Sequence, residues 1–540
     1  MTLLRNRLLA LSAALLWAAA APGARLTILA TSDLHGHVEP RDELSAGDLG
    51  EGLARVASRV AAIRAEGNPV LLLDSGDTIE GTPLEALHAR SGRSGDPTIR
   101  AMNAAGYDAM CVGNHEFDFG LDVLERARKD ARFPFLSANV VDGKGAPVFR
   151  PYVVFERAGA RIGVLGLTVS AVPSWEPPSH VGGLRFLDTV ETAKKYVPIL
   201  RGRERCTIVI VVTHQGFERD LGVGRPPDPV WAAENRAWAL ATEVDGIDLI
   251  LAGHSHENLP PRRIGKVWVS IPGRFGNFLT RYDVEVERGG IKTIRGENVS
   301  LRGTTPDAGI LNLVASDTRR AEETLGETVA RLEEPVSFQL ARTADNAALD
   351  WIQRVQREAS RADLSFASIL APRLADWKAG PLTVRDLWRL YPYENSLVTV
   401  RATGRQVRDA LEGAAGCFSG LQAKRGAWAW QRSPAVFFFN CDALAGADYA
   451  IDPTRRAGDR VLYLRHAGRD VGDDEVFTVA LNSYRAAGGG GYRVWRDAPR
   501  IGGEGRSIRD LLIADARRNG RLRLEADFNW LLAPMLPEAP

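Results

Sequence analysis

Five times in this chain a short apolar run breaks into a turn that carries side chains able to bind a metal. The runs are 26–31, 70–73, 108–112, 206–212 and 248–251. The residues after them are Asp33 and His35; Asp77; Asn114 and His115; His214; His254 and His256. Apolar runs of this length, alternating with helix-period segments such as 52–66 (Leu53, Val56, Val60, Ile63) and 98–105, predict buried strands of an α/β fold. Polar side chains at the carboxyl ends of such strands lie where ligands bind in these folds. Taken singly, Asp33, Asp77 or His214 would be an ordinary surface or capping residue. Histidine is scarce, however, at nine in 540 residues, and five of the nine fall at these strand ends.

The ligand types restrict the metal. Imidazole, carboxylate and amide oxygen without thiolate suit Zn, Mn, Fe, Co or Mg rather than a soft ion. Even without His115, the seven remaining side chains are too many for one four-coordinate ion with an open position. Two ions roughly 3.5–4 Å apart, bridged by one carboxylate, form the arrangement used for in-line phosphoryl displacement. The expected reaction is hydrolysis of a phosphoester.

Charge and length narrow the setting. With 68 basic and 67 acidic side chains there is no broad basic field for a nucleic-acid polymer, so phosphate recognition must be local. The length of 540 residues suits two or more domains. The start, MTLLRNRLLALSAALLWAAAAPGA, has two arginines, a short apolar core and small residues, which is a signal-peptide pattern over 1–24. Its apolar run is shorter than the roughly 20 residues a membrane span needs. The expectation is a periplasmic or secreted protein, monomeric, with no membrane attachment after cleavage. Of four cysteines, Cys111 reads as a buried apolar residue, whereas Cys417 and Cys441 could pair or remain free.

From 25 to 304 the pattern is α/β. The polar, helix-prone segment 305–330, with little apolar stripe, reads as a bridging helix, and a second mixed α/β region spans 331–534. That region is expected to hold helices at 344–359, 383–390, 404–414 and 508–519, with strands at 396–402, 435–440, 461–464 and 476–480.

The motifs DLHGH, GDTIEGTP, GNHEFD, THQG and GHSH, in this order, resemble those of the calcineurin-like metallophosphoesterases. Within that group the chain is similar to the exported 5′-nucleotidase family, through LYPYENSLVTVRATG and LNSYRAAGGGGY in the C-terminal half. The resemblance implies a metallophosphoesterase β-sandwich flanked by helices, linked by a helix to a mixed α/β nucleotide-binding domain. It implies two divalent ions (Zn, Mn, Co or Fe). Asp33, His35, Asp77 and His256 would hold one ion, and Asp77, Asn114, His214 and His254 the other, with Asp77 bridging. Many relatives have Gln where this chain has His256; both can ligate. His115 would stabilise charge on the phosphate and assist the leaving oxygen, with Asp118 orienting its ring, although Asp118 could instead cap the helix at 121–129. Phe439 and Tyr484 would sandwich the base, the Gly run beside Tyr484 allowing backbone to approach a ligand closely; FFF by itself also reads as core.

The phosphate clamp Gly-Gly-x-Arg of typical 5′-nucleotidases is absent from the matching place, 365–373, and Gly490 stands where an acidic residue is often found. In these respects the chain is closer to the 2′,3′-cyclic-nucleotide 2′-phosphodiesterase/3′-nucleotidase branch. The expected substrates are 2′,3′-cyclic and 3′-nucleotides. The competing readings are a 5′-nucleotidase or UDP-sugar hydrolase, a phosphohydrolase acting on a sulfur-bound group, and a nucleotide- or metal-binding protein without catalysis.

Overall fold

The computed structural model describes residues 24–41, 44, 47–222, 229–371, 374–424, 427–433, 436, 438–503 and 505–533. Almost all of the expected signal peptide therefore lies outside the described residues. No helix among those described is long and apolar enough to cross a membrane.

The N-terminal domain is a sandwich of two six-stranded sheets. The first runs Gly290–Ser300, Phe278–Glu287, Ala24–Thr31, Val70–Asp74, Ala109–Cys111, Phe135–Leu136. The second runs Asn258–Ile264, Val267–Pro272, Leu249–Ala252, Ile208–His214, Ala160–Thr168, Tyr152–Arg157. In each sheet the middle strands are parallel. Both faces of these strands are covered, which explains their unbroken apolar sequence. Leu26, Ile28, Leu71 and Leu73 meet Ile208, Ile210, Leu249 and Leu251 between the sheets. Leu29 and Leu72 face outward, in one core with residues of the helices Leu53–Arg64 and Pro97–Ala105. The helices Thr189–Gly202 and Ala237–Glu243 cover the second sheet.

The bridging helix is Ala308–Leu325, and here the sequence misled. It does carry a buried stripe, Ile310, Val314, Thr318, Ala321 and Leu325; Ile310, Val314 and Ala321 pack on the helices of the first sheet, and Leu325 joins the core of the C-terminal domain. The stripe is broken by Asp317, whose burial is compensated by an ion pair with Arg100.

The C-terminal domain centres on a five-stranded mixed sheet, in the order Ala443–Ala445, Leu364–Ala367, Val476–Asn482, Leu397–Thr403, Arg500–Gly502. Helices Ala347–Ser360, Gly404–Ala415 and Ile508–Asn519 pack around a core containing Trp351, Phe366, Trp388 and Trp495. The strand expected over 435–440 is corrected: of its described residues, 436 is a bend and Phe438–Asn440 a single 3-10 turn, while 435 and 437 lie outside the described residues. The Phe439 carbonyl accepts from Ser368 Oγ (2.7 Å) and Arg485 Nη2 (2.8 Å), and the Asn440 carbonyl from the Tyr492 hydroxyl (2.7 Å). Backbone acceptors committed to side chains in this way are not available to a sheet ladder. Cys417 and Cys441 are disulfide-bonded beside this turn, while Cys111 and Cys206 are buried free thiols.

The two domains meet through ion pairs of Arg90 with Glu394 (3.1 Å) and Asp510 (3.2 Å). Arg500 also donates to the Ser174 carbonyl (3.2 Å), and the segments Val172–Trp175 and Ser483–Ala486 touch.

Candidate dinuclear metal site

The parallel strands of both sheets end at the same edge of the sandwich, so their loops interlock. Asp33 N donates to Gly76 O, His35 N to Asp77 O and Gly36 N to Thr78 O, each at 2.9 Å. His254 N, from the other sheet, donates to Asp33 Oδ1 at 3.1 Å. Gly113 is required by close approach: a Cβ there would lie 2.3 Å from Asp77 Oδ1. Glu116, fully buried, accepts from the backbone N–H of Gly113 (2.5 Å), Asp77 (3.0 Å) and Thr78 (2.6 Å). It shapes the loop from within, a role that the sequence pattern did not reveal.

These loops hold several side chains in unfavourable backbone conformations. Asp33 (φ 52°), His35 (φ 46°), Asp77 (φ 60°), His254 (φ 69°) and His256 (φ 58°) all occupy the left-handed region. Such residues persist only where the surroundings enforce them, and they concentrate at functional sites. Five of the seven expected ligands carry this strain.

Six of the seven residues fall into two converging groups. Asp33, His35 and His256 offer ligand atoms within 4.8 Å of one another, and so do Asp77, His214 and His254. The groups adjoin: Asp77 Oδ2 is 2.8 Å from His214 Nε2 and 3.8 Å from His35 Nε2. Asn114, the seventh, is buried one residue before His115, whose N–H donates to Asp77 Oδ1 at 2.8 Å. Asn114 Oδ1 is buried with no hydrogen-bond partner, and His214 Nε2, despite its nearness to Asp77, makes no aligned hydrogen bond. Buried polar atoms left without partners are costly unless something absent from the chain satisfies them. A buried donor set of oxygen and imidazole nitrogen, two of its atoms left without hydrogen bonds, fits divalent cations.

The electrostatics of His254, His256 and Asp77 suit a cation, whereas burial raises the pKa of Asp33 and, against burial, the Asp77 carboxylate raises that of His214 to about 9. Burial, reinforced by the neighbouring His214, pushes His254 down to about 3, and burial with His35 and Arg274 holds His256 well below its ordinary value. Both rings are thus neutral, with lone pairs available. Burial alone would raise Asp77, but His214, His115 and His35 outweigh it and hold the carboxylate well below its usual range.

His115 stands at the rim, half-buried, with Nδ1 2.9 Å from Asp118 Oδ2. Burial opposes its protonation, yet Asp118, Asp77 and Glu80 together raise its pKa well above the ordinary value. Asp118 does not cap the following helix: Leu121–Asp130 starts from Gly120 without a side-chain cap. Other neighbours went unnoticed in the sequence. Trp175 stacks on His254 (centroids 5.6 Å apart, 25°), Phe275 on His37 (4.0 Å, 19°), and Arg274 lies 3.3 Å from His256 Nδ1.

On the C-terminal side, Phe439 and Tyr484 are brought together, but edge to face: centroids are 6.5 Å apart and the planes cross at 71°. A third ring, Tyr393, lies 6.4 Å from Phe439. Burial raises the Tyr393 hydroxyl pKa, with opposing contributions from Arg274 and Glu80 of the N-terminal domain. The Gly run serves the ring itself: a Cβ on Gly489 would lie 2.4 Å from the Tyr484 ring. Beneath it, buried Arg485 grips Asp442 with Nε (2.6 Å) and Nη2 (2.7 Å) and donates to Asn440 Oδ1 (3.0 Å) and Gly489 O (2.9 Å). A bidentate, fully buried guanidinium of this kind pins both ring-bearing loops.

A two-sheet sandwich with a carboxylate–imidazole cluster at the strand ends, joined to a second α/β domain, defines the metallophosphoesterase class. Residues 26–258 match the family of calcineurin-like phosphoesterases, and residues 328–497 the 5′-nucleotidase C-terminal domain. The chain belongs to the calcineurin-like metallophosphoesterases that carry this C-terminal domain. It is 27% identical over 587 residues to the trifunctional nucleotide phosphoesterase protein YfkN of Bacillus subtilis, covering 96% of this chain but 39% of that one. It is 27% identical to the 2′,3′-cyclic-nucleotide 2′-phosphodiesterase/3′-nucleotidase of Yersinia enterocolitica, covering 95% of this chain and 89% of the relative. A crystal structure of a candidate 5′-nucleotidase from Staphylococcus aureus superposes with a TM-score of 0.83 at 24% identity, covering 94% of this chain and all (100%) of that one. That likeness is one of fold.

Proposed function

We propose that this protein is an exported, monomeric phosphohydrolase with two divalent ions, acting on 2′,3′-cyclic and 3′-nucleotides. The observation that carries the reading is the pair of adjoining ligand groups around Asp77, together with the buried Asn114 Oδ1 and His214 Nε2, which lack hydrogen-bond partners. Asp33, His35, Asp77 and His256 would hold one ion and Asp77, Asn114, His214 and His254 the other. The metallophosphoesterase domain is taken as 25–304, the connecting segment as 305–330 and the substrate-binding domain as 331–534. Export is inferred from the leader-like segment at 1–24.

When bound, two such ions polarise phosphoryl oxygens and lower the pKa of an attacking water to about 7. The remaining work belongs to side chains. Asp118 accepts from His115 Nδ1, which fixes the ring and leaves Nε2 to meet the developing charge and protonate the leaving oxygen. The ring cluster of Phe439 and Tyr484, across the interdomain cleft, receives the base. At least one of the two rings must turn out of their edge-to-face contact for both to stack on it. The span between these rings and the ligand cluster would then select which phosphate of the nucleotide is hydrolysed.

Comparing kcat/KM for 2′,3′-cAMP, 3′-AMP and 5′-AMP, with added Mn²⁺, Co²⁺ or Zn²⁺, tests the substrate assignment. The cyclic and 3′ substrates are expected to lead. A clear preference for 5′-AMP would overturn the choice of branch and leave phosphoester hydrolysis standing.

Tyr484→Ala should raise KM for nucleotides by the equivalent of about 1–3 kcal/mol, the contribution of one stacked base. Hydrolysis of p-nitrophenyl phosphate, which has no base, should be spared. Equal losses on both substrates would remove Tyr484 from base recognition.

A further inference from the structure

One buried carboxylate beside the site belongs to neither ligand group. Glu80, three residues after Asp77, is 6% exposed. Its Oε2 lies 3.2 Å from His35 Nδ1 and 3.5 Å from His115 Nδ1. His115 Nδ1 has a closer acceptor in Asp118, at 2.9 Å, so the aligned hydrogen bond that Glu80 accepts is the one from His35 Nδ1. The other nitrogen of His35, Nε2, faces His256 Nε2 at 3.0 Å and Asp77 Oδ2 at 3.8 Å, inside the ligand cluster.

A neutral imidazole carries one proton, so fixing it on Nδ1 leaves a lone pair on Nε2. The second ligand group shows the same device made from backbone. There His214 Nδ1 is 2.7 Å from the Ser75 carbonyl, which can only accept, and His214 Nε2 points into the cluster. We propose that Glu80 is a positioning residue that holds His35 as the Nδ1–H tautomer, presenting Nε2 to the cation shared with Asp33 and His256. A carboxylate behind a ligating imidazole fixes its orientation and raises its basicity. Asp77 and Glu80 thus lie on one loop, the first among the ligands and the second behind one of them. This inference rests on the two-ion reading of the site.

The test is metal affinity, measured without turnover. Protein stripped by a chelator is titrated with Zn²⁺ by calorimetry, for the wild type, E80Q and E80A. E80A should weaken one of the two ions by about 10–100-fold, the usual loss when such a partner is removed, and leave the other unchanged. E80Q, whose amide oxygen accepts the same bond, should restore affinity. Should E80A fail to fold, E80M, which keeps volume and cannot accept, takes its place. Wild-type affinity in E80A or E80M overturns the proposal, and so does an equal loss in E80Q, which would assign the effect to charge. A wild type that takes up fewer than two ions overturns the two-ion reading itself.

Discussion

His115→Asn is expected to keep both metal ions and lose about 10²–10⁴-fold in kcat, the range typical of a positioned acid or base. Asparagine roughly preserves the volume of the ring and can still donate to Asp118, so the loop should survive. What disappears is the imidazolium that Asp118, Asp77 and Glu80 favour. Because that charge matters most when the leaving oxygen departs, the loss should fall on kcat more than on KM. Steady-state kinetics on 3′-AMP and p-nitrophenyl phosphate, with metal content measured on the same samples, would check it. A near-normal kcat would remove His115 from the chemistry.

His214→Ala is expected to lose or loosen one ion and reduce turnover by orders of magnitude. The side chain is fully buried and sits 2.8 Å from Asp77 Oδ2, with its Nδ1 committed to the Ser75 carbonyl. Its removal strips one ligand group to Asp77, His254 and Asn114. It also leaves the Ser75 carbonyl unpaired, at a cost of about 1–3 kcal/mol. Typical domain stabilities of about 5–15 kcal/mol absorb such a loss, so the fold should hold. Elemental analysis and a thermal melt separate the two effects. Two retained ions with full activity would refute the ligand assignment.

The sequence displayed the strand ends well because their signal is local. A strand covered on both faces must be apolar throughout, and the first polar residues after it mark where it leaves the core. The strands Val70–Asp74, Ile208–His214 and Leu249–Ala252 therefore lie within two residues of the runs that predicted them. The same logic failed at 435–440, where an apolar run reads as a strand. Its described part is instead a turn, held by Arg485, Tyr492 and Ser368, residues 45, 52 and 71 positions from their partners. It failed also at the bridging helix, whose narrow buried stripe is interrupted by the paired Asp317.

The sequence by itself determined the kind of chemistry, because ligand type and position at strand ends are properties of single residues and their neighbours. It also determined the fold class, through apolar runs alternating with helix-period segments. Only the tertiary structure showed which of the candidate ligands lie side by side. His35 and His256 are 221 residues apart in the chain, yet their ring nitrogens lie 3.0 Å apart, because two sheets end at one edge. Only it showed that Glu116 shapes the central loop, that Glu80 stands behind His35, and that Gly489 makes room for the Tyr484 ring. The physical reason is common to these cases. A buried polar group or a missing Cβ is explained by its contacts, and those contacts come from chain segments that sequence periodicity does not connect.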